Sequence, residues 1–196
     1  MTRISPWLFL AALVLLPAAA AAASGPPNAE FEKMRSLIGD WVGTAVMSPA
    51  VPEARPPGMR LGGDLSKPAP AEEQHWRVDL SVRPIASGTT LMETMRFPDG
   101  MEMVTVYYPY GPHLMLTHYC SSNTQPRMRT LSAPADLHEL RFEFMDGTNM
   151  MNSSDNAMAN LHVMFDGPDR FRQEWYPQGK NAKPIAISYK RQPKAP

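Results

Sequence analysis

From His75 onward, apolar and polar side chains alternate with a period of two in short segments broken by turn-forming residues, the pattern of strands with one buried face. Trp76, Val78, Leu80 and Val82 alternate with His75, Arg77, Asp79 and Ser81; Leu91, Glu93, Met95 and Phe97 alternate with Thr90, Met92, Thr94 and Arg96. Met101–Tyr108, His113–Cys120 and Pro126–Leu131 follow, joined by Pro109-Tyr110-Gly111-Pro112 and by Ser121–Gln125. Then come strands centred on Leu140, Phe142 and Phe144, on Leu161, Val163 and Phe165, on Phe171, Gln173 and Trp175, and on Ile185, Ile187 and Tyr189. Ser87-Gly88, Asp99-Gly100, Asp146-Gly147, Asp166-Gly167-Pro168 and Gln178-Gly179 are the expected turns between them.

Ahead of this region the period is different. Asn28 is an expected N-cap, and Phe31, Met34, Leu37 and Ile38 recur at helical spacing up to Gly39, which predicts a helix of about three turns with one apolar face. Trp41–Val46 is the first expected strand, with Trp41 turned inward. Residues 47–74 carry Pro49, Pro52, Pro56, Pro57, Pro68 and Pro70 and read as an insertion loop, because proline lacks the amide donor a central strand needs. About ten short strands linked by hairpin-length turns predict an all-β, up-and-down antiparallel barrel with a short N-terminal helix, since closure leaves no edge exposed. A two-sheet sandwich is the alternative use of the same strands.

The 196 residues, 43% hydrophobic and 19% charged, suit one globular domain, assigned to 28–192 with a tail at 193–196. Nineteen basic against nineteen acidic side chains give no basic footprint, which excludes a nucleic-acid partner. Residues 1–23 follow secretory grammar: Arg3, an apolar run from Trp7 to Leu16, then Ala18–Ala23 before Ser24. The expectation is a cleaved signal peptide, a periplasmic or secreted protein and no stable membrane anchor after cleavage. The single cysteine, Cys120, has no internal disulfide partner; it is either a buried small hydrophobe or a functional thiol. No CxxC, HExxH or paired-His spacing offers a metal site, so no metal ligand is assigned.

The chain resembles an uncharacterised group of exported bacterial calycin-like, lipocalin-like β-barrels. The stretches that carry the likeness are Phe31–Trp41, Glu102–Tyr107, Leu116–Cys120, Gln125–Met128, Leu140–Phe144 and Gln173–Trp175. What the resemblance implies is a lipocalin-like barrel and no established activity. Nitrobindin and the fatty-acid-binding proteins are more distant relatives by architecture, and they imply haem and an amphipathic acid, respectively, as alternative occupants.

Counting parity along the strands turns Thr105 and Tyr107 inward beside Met103, His118 inward with Leu114, Leu116 and Cys120, Glu93 inward with Leu91 and Met95, and Gln173 inward with Phe171 and Trp175. The expected ligand-binding set is therefore Trp41, Glu93, Thr105, Tyr107, His118, Cys120, Arg127, Gln173 and Trp175. Buried polar groups without partners cost about 1–3 kcal/mol, so this convergence implies mutual hydrogen bonds or a polar ligand. His118 is either a core histidine bonded to Glu93 or backbone, or a ligand contact. Arg127 and Arg129 share a face and are either exposed or lumen cations for a carboxylate ligand. His75, His113, His138 and His162 fall at turns or on the polar parity and read as surface residues. The fifteen methionines read as adaptable core filler rather than a copper site, their spacing showing no clustered run of the kind a soft-metal site favours apart from Met150-Met151 in a loop. The functional expectation is an exported barrel holding a small apolar or amphipathic molecule. The alternatives are a haem or nitric-oxide barrel, and a small enzyme using His118 with Glu93 or with Cys120.

Overall fold

The computed structural model describes residues 28–47, 74–131, 137–150, 157–178 and 183–193. One helix, α1 (Ala29–Arg35), precedes ten strands: β1 (Gly39–Met47), β2 (Gln74–Ile85), β3 (Thr90–Arg96), β4 (Glu102–Tyr110), β5 (His113–Tyr119), β6 (Gln125–Thr130), β7 (Glu139–Thr148), β8 (Met158–Phe165), β9 (Arg170–Pro177) and β10 (Ile185–Arg191). Each strand pairs antiparallel with its neighbours in sequence, and β1 also pairs with β10, which closes the sheet into a barrel. That closure removes the sandwich alternative. The expected signal peptide (1–23) and the insertion between Met47 and Gln74 lie outside the described residues.

The alternation read along the chain is the alternation observed. Val78, Leu80, Val82, Leu91, Met95, Leu114, Leu116, Leu140, Phe142, Leu161, Val163, Phe171 and Ile187 are all buried in one continuous core. The helix is shorter than its periodicity predicts. Ser36 accepts the cap position with its hydroxyl donating to Lys33 O at 2.7 Å, and the amides of Leu37 and Ile38 bond three residues back, which tightens the chain out of α geometry. Gly39, at φ 142°, then turns it into β1. Asn28 caps as expected, its side chain accepting from the Phe31 amide at 2.9 Å while its own amide reaches His113 O at 3.0 Å.

This helix closes one end of the barrel, beside the β2–β3, β4–β5 and β8–β9 turns. Phe31 and Met34 are buried beneath it, each worth about 1.5–3 kcal/mol of transfer free energy. Glu30 fastens it: Oε2 accepts from Thr130 Oγ1 at 2.5 Å and from the Leu114 amide at 3.1 Å. Arg35 donates to Gly88 O at 3.0 Å across the β2–β3 turn.

One predicted turn is not a turn. Asp146-Gly147 lies within β7, opposite Arg127 and Pro126, because the Arg127 guanidinium forks onto Asp146 at 2.5 and 2.6 Å and a register shift between Arg127 and Met128 carries the pairing onward. Since β7 pairs with β8 only as far as Glu143, Phe144 to Thr148 leaves the wall as a ribbon with β6, and Phe144 is 37% exposed rather than part of the core.

Close packing sets a testable limit at Gly43. A Cβ there would stand 2.5 Å from Cδ1 of Tyr189 and 3.0 Å from Cγ2 of Ile187, and Tyr189 is itself stacked on Phe171 with ring centroids 4.6 Å apart. Gly43→Ala is expected to cost about 1–3 kcal/mol in urea unfolding through this overpacking. An unchanged midpoint would show that the Tyr189 ring moves freely.

Candidate functional site

The end of the barrel opposite α1 is where the β3–β4 and β5–β6 turns lie, and there the core is layered. Glu93, Thr105 and His118 are successive cross-strand partners on β3, β4 and β5. Toward the open end, the next row on the same face is Met95, Met103 and then Cys120, just past β5; toward the helix the row is Leu91, Tyr107, Leu116 and Met128. Trp175 and Gln173 come in from β9, and Ile185, Ile187 and Tyr189 from β10.

Glu93 lies at the bottom of this arrangement, 1% exposed. Its Oε2 accepts from Tyr107 OH at 3.2 Å and from Gln173 Nε2 at 2.9 Å. Because β3 and β9 are not neighbours in the wall, the Gln173 bond spans the lumen and makes a floor. Trp175 Nε1 donates to Gln173 Oε1 at 3.3 Å and fixes which way the amide faces. Burial pushes the Glu93 carboxyl up to about 7, only partly offset by the bonds from Gln173 and Tyr107. The same burial, reinforced by Glu93, holds the Tyr107 and Tyr189 phenols well above their ordinary range. Glu93 Oε1 and Tyr189 OH are buried with no protein partner.

His118 is bonded to Thr105, not to Glu93: Thr105 Oγ1 and His118 Nδ1 are 2.9 Å apart. Nε2 is left as the ring's remaining donor or acceptor. Its imidazole lies 4.5 Å from the Trp175 ring, centroid to centroid. Burial pulls it down to about 4, so it is neutral at pH 7.

Above the floor a cavity of about 30 Å³ opens toward the mouth, lined by Met95, Phe97, Met103, His118, Cys120, Met158, Trp175 and Ile187 among others. Almost everything facing it is apolar or sulfur.

The structure thus brings Glu93, Thr105, Tyr107, Gln173 and Trp175 together with His118 and Cys120 in the lumen. It does not bring in the other two expected residues. Trp41 is buried at the helix end, where its Nε1 donates to Leu37 O at 2.8 Å. Arg127 is on the outer face, half exposed and paired with Asp146, because the inward parity of β6 belongs to Pro126, Met128 and Thr130. The expectation of Arg127 as a lumen cation is corrected accordingly, and with it the carboxylate-ligand reading. Arg127→Ala is expected to leave the urea midpoint and any lumen binding unchanged, as for a solvent-screened pair; a loss of ligand affinity would contradict the outward placement.

His162 is half-buried on the outer face, with Nδ1 3.3 Å from Glu139 and its ring against Tyr176. Burial lowers its pKa. Tyr189, Met158 and Phe97 join the site without having been singled out. Parity already turned Tyr189 and Phe97 inward; what a single chain does not display is which strands face one another across the lumen.

As packed, the cavity of about 30 Å³ is smaller than the several hundred Å³ that pockets for larger ligands, such as the haem implied by the likeness to nitrobindin, take. His118 and Glu93 do not form an assembled acid/base pair, each group being held by other partners.

No family model and no curated protein matches the chain. Among solved structures it is similar to the crystal structure of Rv2717c from M. tuberculosis, with 13% identity and a TM-score of 0.55 over 84% of this chain and 98% of that one. Weaker likenesses are to a protein of unknown function from the DUF3598 family of Nostoc punctiforme (11% identity, TM-score 0.40, covering 81% of this chain and 48% of that one) and to EF1p2_mFAP2b bound to DFHBI (12%, 0.33, 83% and 99%). What this chain shares with Rv2717c at that level of identity is the barrel fold.

Proposed function

We propose that this is an exported barrel that binds a small, neutral, apolar or amphipathic molecule at its open end. The observation that carries the reading is the mouth cavity, whose walls are Met95, Phe97, Met103, Met158, Trp175 and Ile187 and whose polar lining is His118, Ser121 and Ser122, set above a hydrogen-bonded floor. As packed, about 30 Å³ is room for little more than water. Three of the walls are methionines, unbranched and adaptable, so rotation of Met95, Met103 and Met158 is what admits a ligand. A neutral head group is favoured over an acid because Arg127 faces outward and the buried floor below holds the Glu93 carboxyl.

The test is titration of the purified chain with 1-aminoanthracene, a neutral fluorophore, together with native mass spectrometry of protein prepared without detergent. A 1:1 complex displaced by a long-chain alcohol and abolished by Met103→Trp, which fills the mouth, is expected. Absence of any 1:1 complex, or binding unaffected by Met103→Trp, would overturn the reading.

A further inference from the structure

The sulfur at the mouth exceeds what packing against an apolar guest requires. Met95 and Met103 are directly opposed across β3 and β4, and the next position in that row is Cys120. Facing side chains in such a row have Cβ atoms about 5 Å apart, within the reach of unbranched thioethers toward a common point. His118 stands one row below on the same face, and Met158 comes from the start of β8; all five line the same cavity.

We propose that Met95, Met103, Met158, Cys120 and His118 form a binding site for a soft monovalent metal ion, Cu(I). The donor set selects the ion. Thioether, thiolate and imidazole are soft or borderline ligands that prefer Cu(I), whereas Ca(II), Mg(II) and Mn(II) need oxygen. Among the described residues no three His, Cys, Asp or Glu side chains come together, so a zinc-type set is missing and only the thioethers complete the coordination. Charge balance also fits. On binding, the Cys120 thiol loses its proton to solvent and the thiolate cancels the single positive charge, leaving a neutral complex in an apolar mouth; a divalent ion there would remain charged at high desolvation cost. His118 has Nδ1 engaged by Thr105 at 2.9 Å, the kind of outer-shell bond that orients a ligating imidazole. Met95, Met103, Met158 and the His118–Cys120 pair are well separated in sequence, and the barrel register gathers them.

The ion would occupy the same cavity that the apolar-ligand reading uses, and one set of samples separates the two. Metal-free, reduced full-length protein is titrated anaerobically with Cu(I) against bicinchoninate, and the Met95→Leu/Met103→Leu/Met158→Leu variant, which conserves volume and apolarity, is treated identically. Expected are one equivalent of Cu(I) withdrawn from the chelator with copper–sulfur scattering in X-ray absorption, and at least about a hundredfold weaker binding in the variant, since even outer-shell losses cost 10–100-fold. The variant's urea midpoint reports that the fold survives, and 1-aminoanthracene titration of the metal-free wild-type chain tests the apolar-ligand reading separately. Failure of the wild-type chain to compete with the chelator would overturn the proposal, as would a variant that keeps its Cu(I) affinity within about threefold.

Discussion

Glu93→Gln is expected to stabilise the barrel at pH 8 by about 3 kcal/mol and to leave it nearly unchanged at pH 4. The carboxyl, 1% exposed, is raised from 4.5 to about 7 in the folded protein, chiefly by burial. Between those values the folded state holds a proton that the unfolded chain has released. Its contribution is therefore intact below about pH 4.5 and is lost as pH rises through 7. An amide carries no such penalty. With its oxygen in the place of Oε2 it still accepts from Tyr107 and Gln173, and its nitrogen takes the place of the unpartnered Oε1. Urea unfolding of both proteins at the two pH values checks this; an equal shift at both would show that Glu93 acts through packing and not through its charge.

His118 runs the other way. Its folded value, about 4, lies below the ordinary 6.5, so the unfolded chain takes up the proton first and stability is lost as pH falls from 6.5 toward 4. The two windows overlap with opposite sign. In the wild-type protein they nearly cancel, which leaves this pair contributing a flat profile from pH 4 to 8, and only a single replacement unmasks either slope. Glu93→Gln should therefore rise in stability from pH 4 to 6.5 and then level off.

The inward set of residues was readable because period-two alternation is local: Leu91, Glu93 and Met95, or Leu116 and His118, announce their common face within a few residues. Partners were not readable, because they depend on register and on what faces what across a closed lumen. His118 found Thr105 one strand away where Glu93 was expected; Glu93 found Gln173 from β9. Asp146-Gly147 has the composition of a turn, and the competing Arg127 ion pair and register shift override it. Parity turns Met95 and Met103 inward, but their meeting with Met158 has no sequence signature, since the three become neighbours only when β3, β4 and β8 take their places in the barrel.

Trp41→Ala is expected to cost about 3–5 kcal/mol, a large share of the 5–15 kcal/mol typical of a whole domain. The ring is fully buried where helix, first strand and last strands meet. Its Nε1 donates to Leu37 O at 2.8 Å, its partner Phe171 packs edge-on with centroids 4.7 Å apart, and the Arg191 guanidinium lies 4.1 Å over its face. Arg191 in turn donates to Ser36 O at 2.8 Å, to Ile38 O at 3.0 Å and to Pro168 O at 2.9 Å, so one indole supports the groups that tie α1 to the C-terminal end of β10. Alanine leaves a cavity there and a guanidinium without its ring. Trp41→Phe keeps most of the volume and removes the hydrogen bond, for which about 1–3 kcal/mol is expected. Hydrogen exchange separates a local from a global effect: in Trp41→Ala the amides of α1 should lose protection first, while those of the Thr105–His118 pairing in β4 and β5 stay protected until global unfolding. A Trp41→Ala protein within about 1 kcal/mol of wild type would mean that the helix closes the barrel without this side chain.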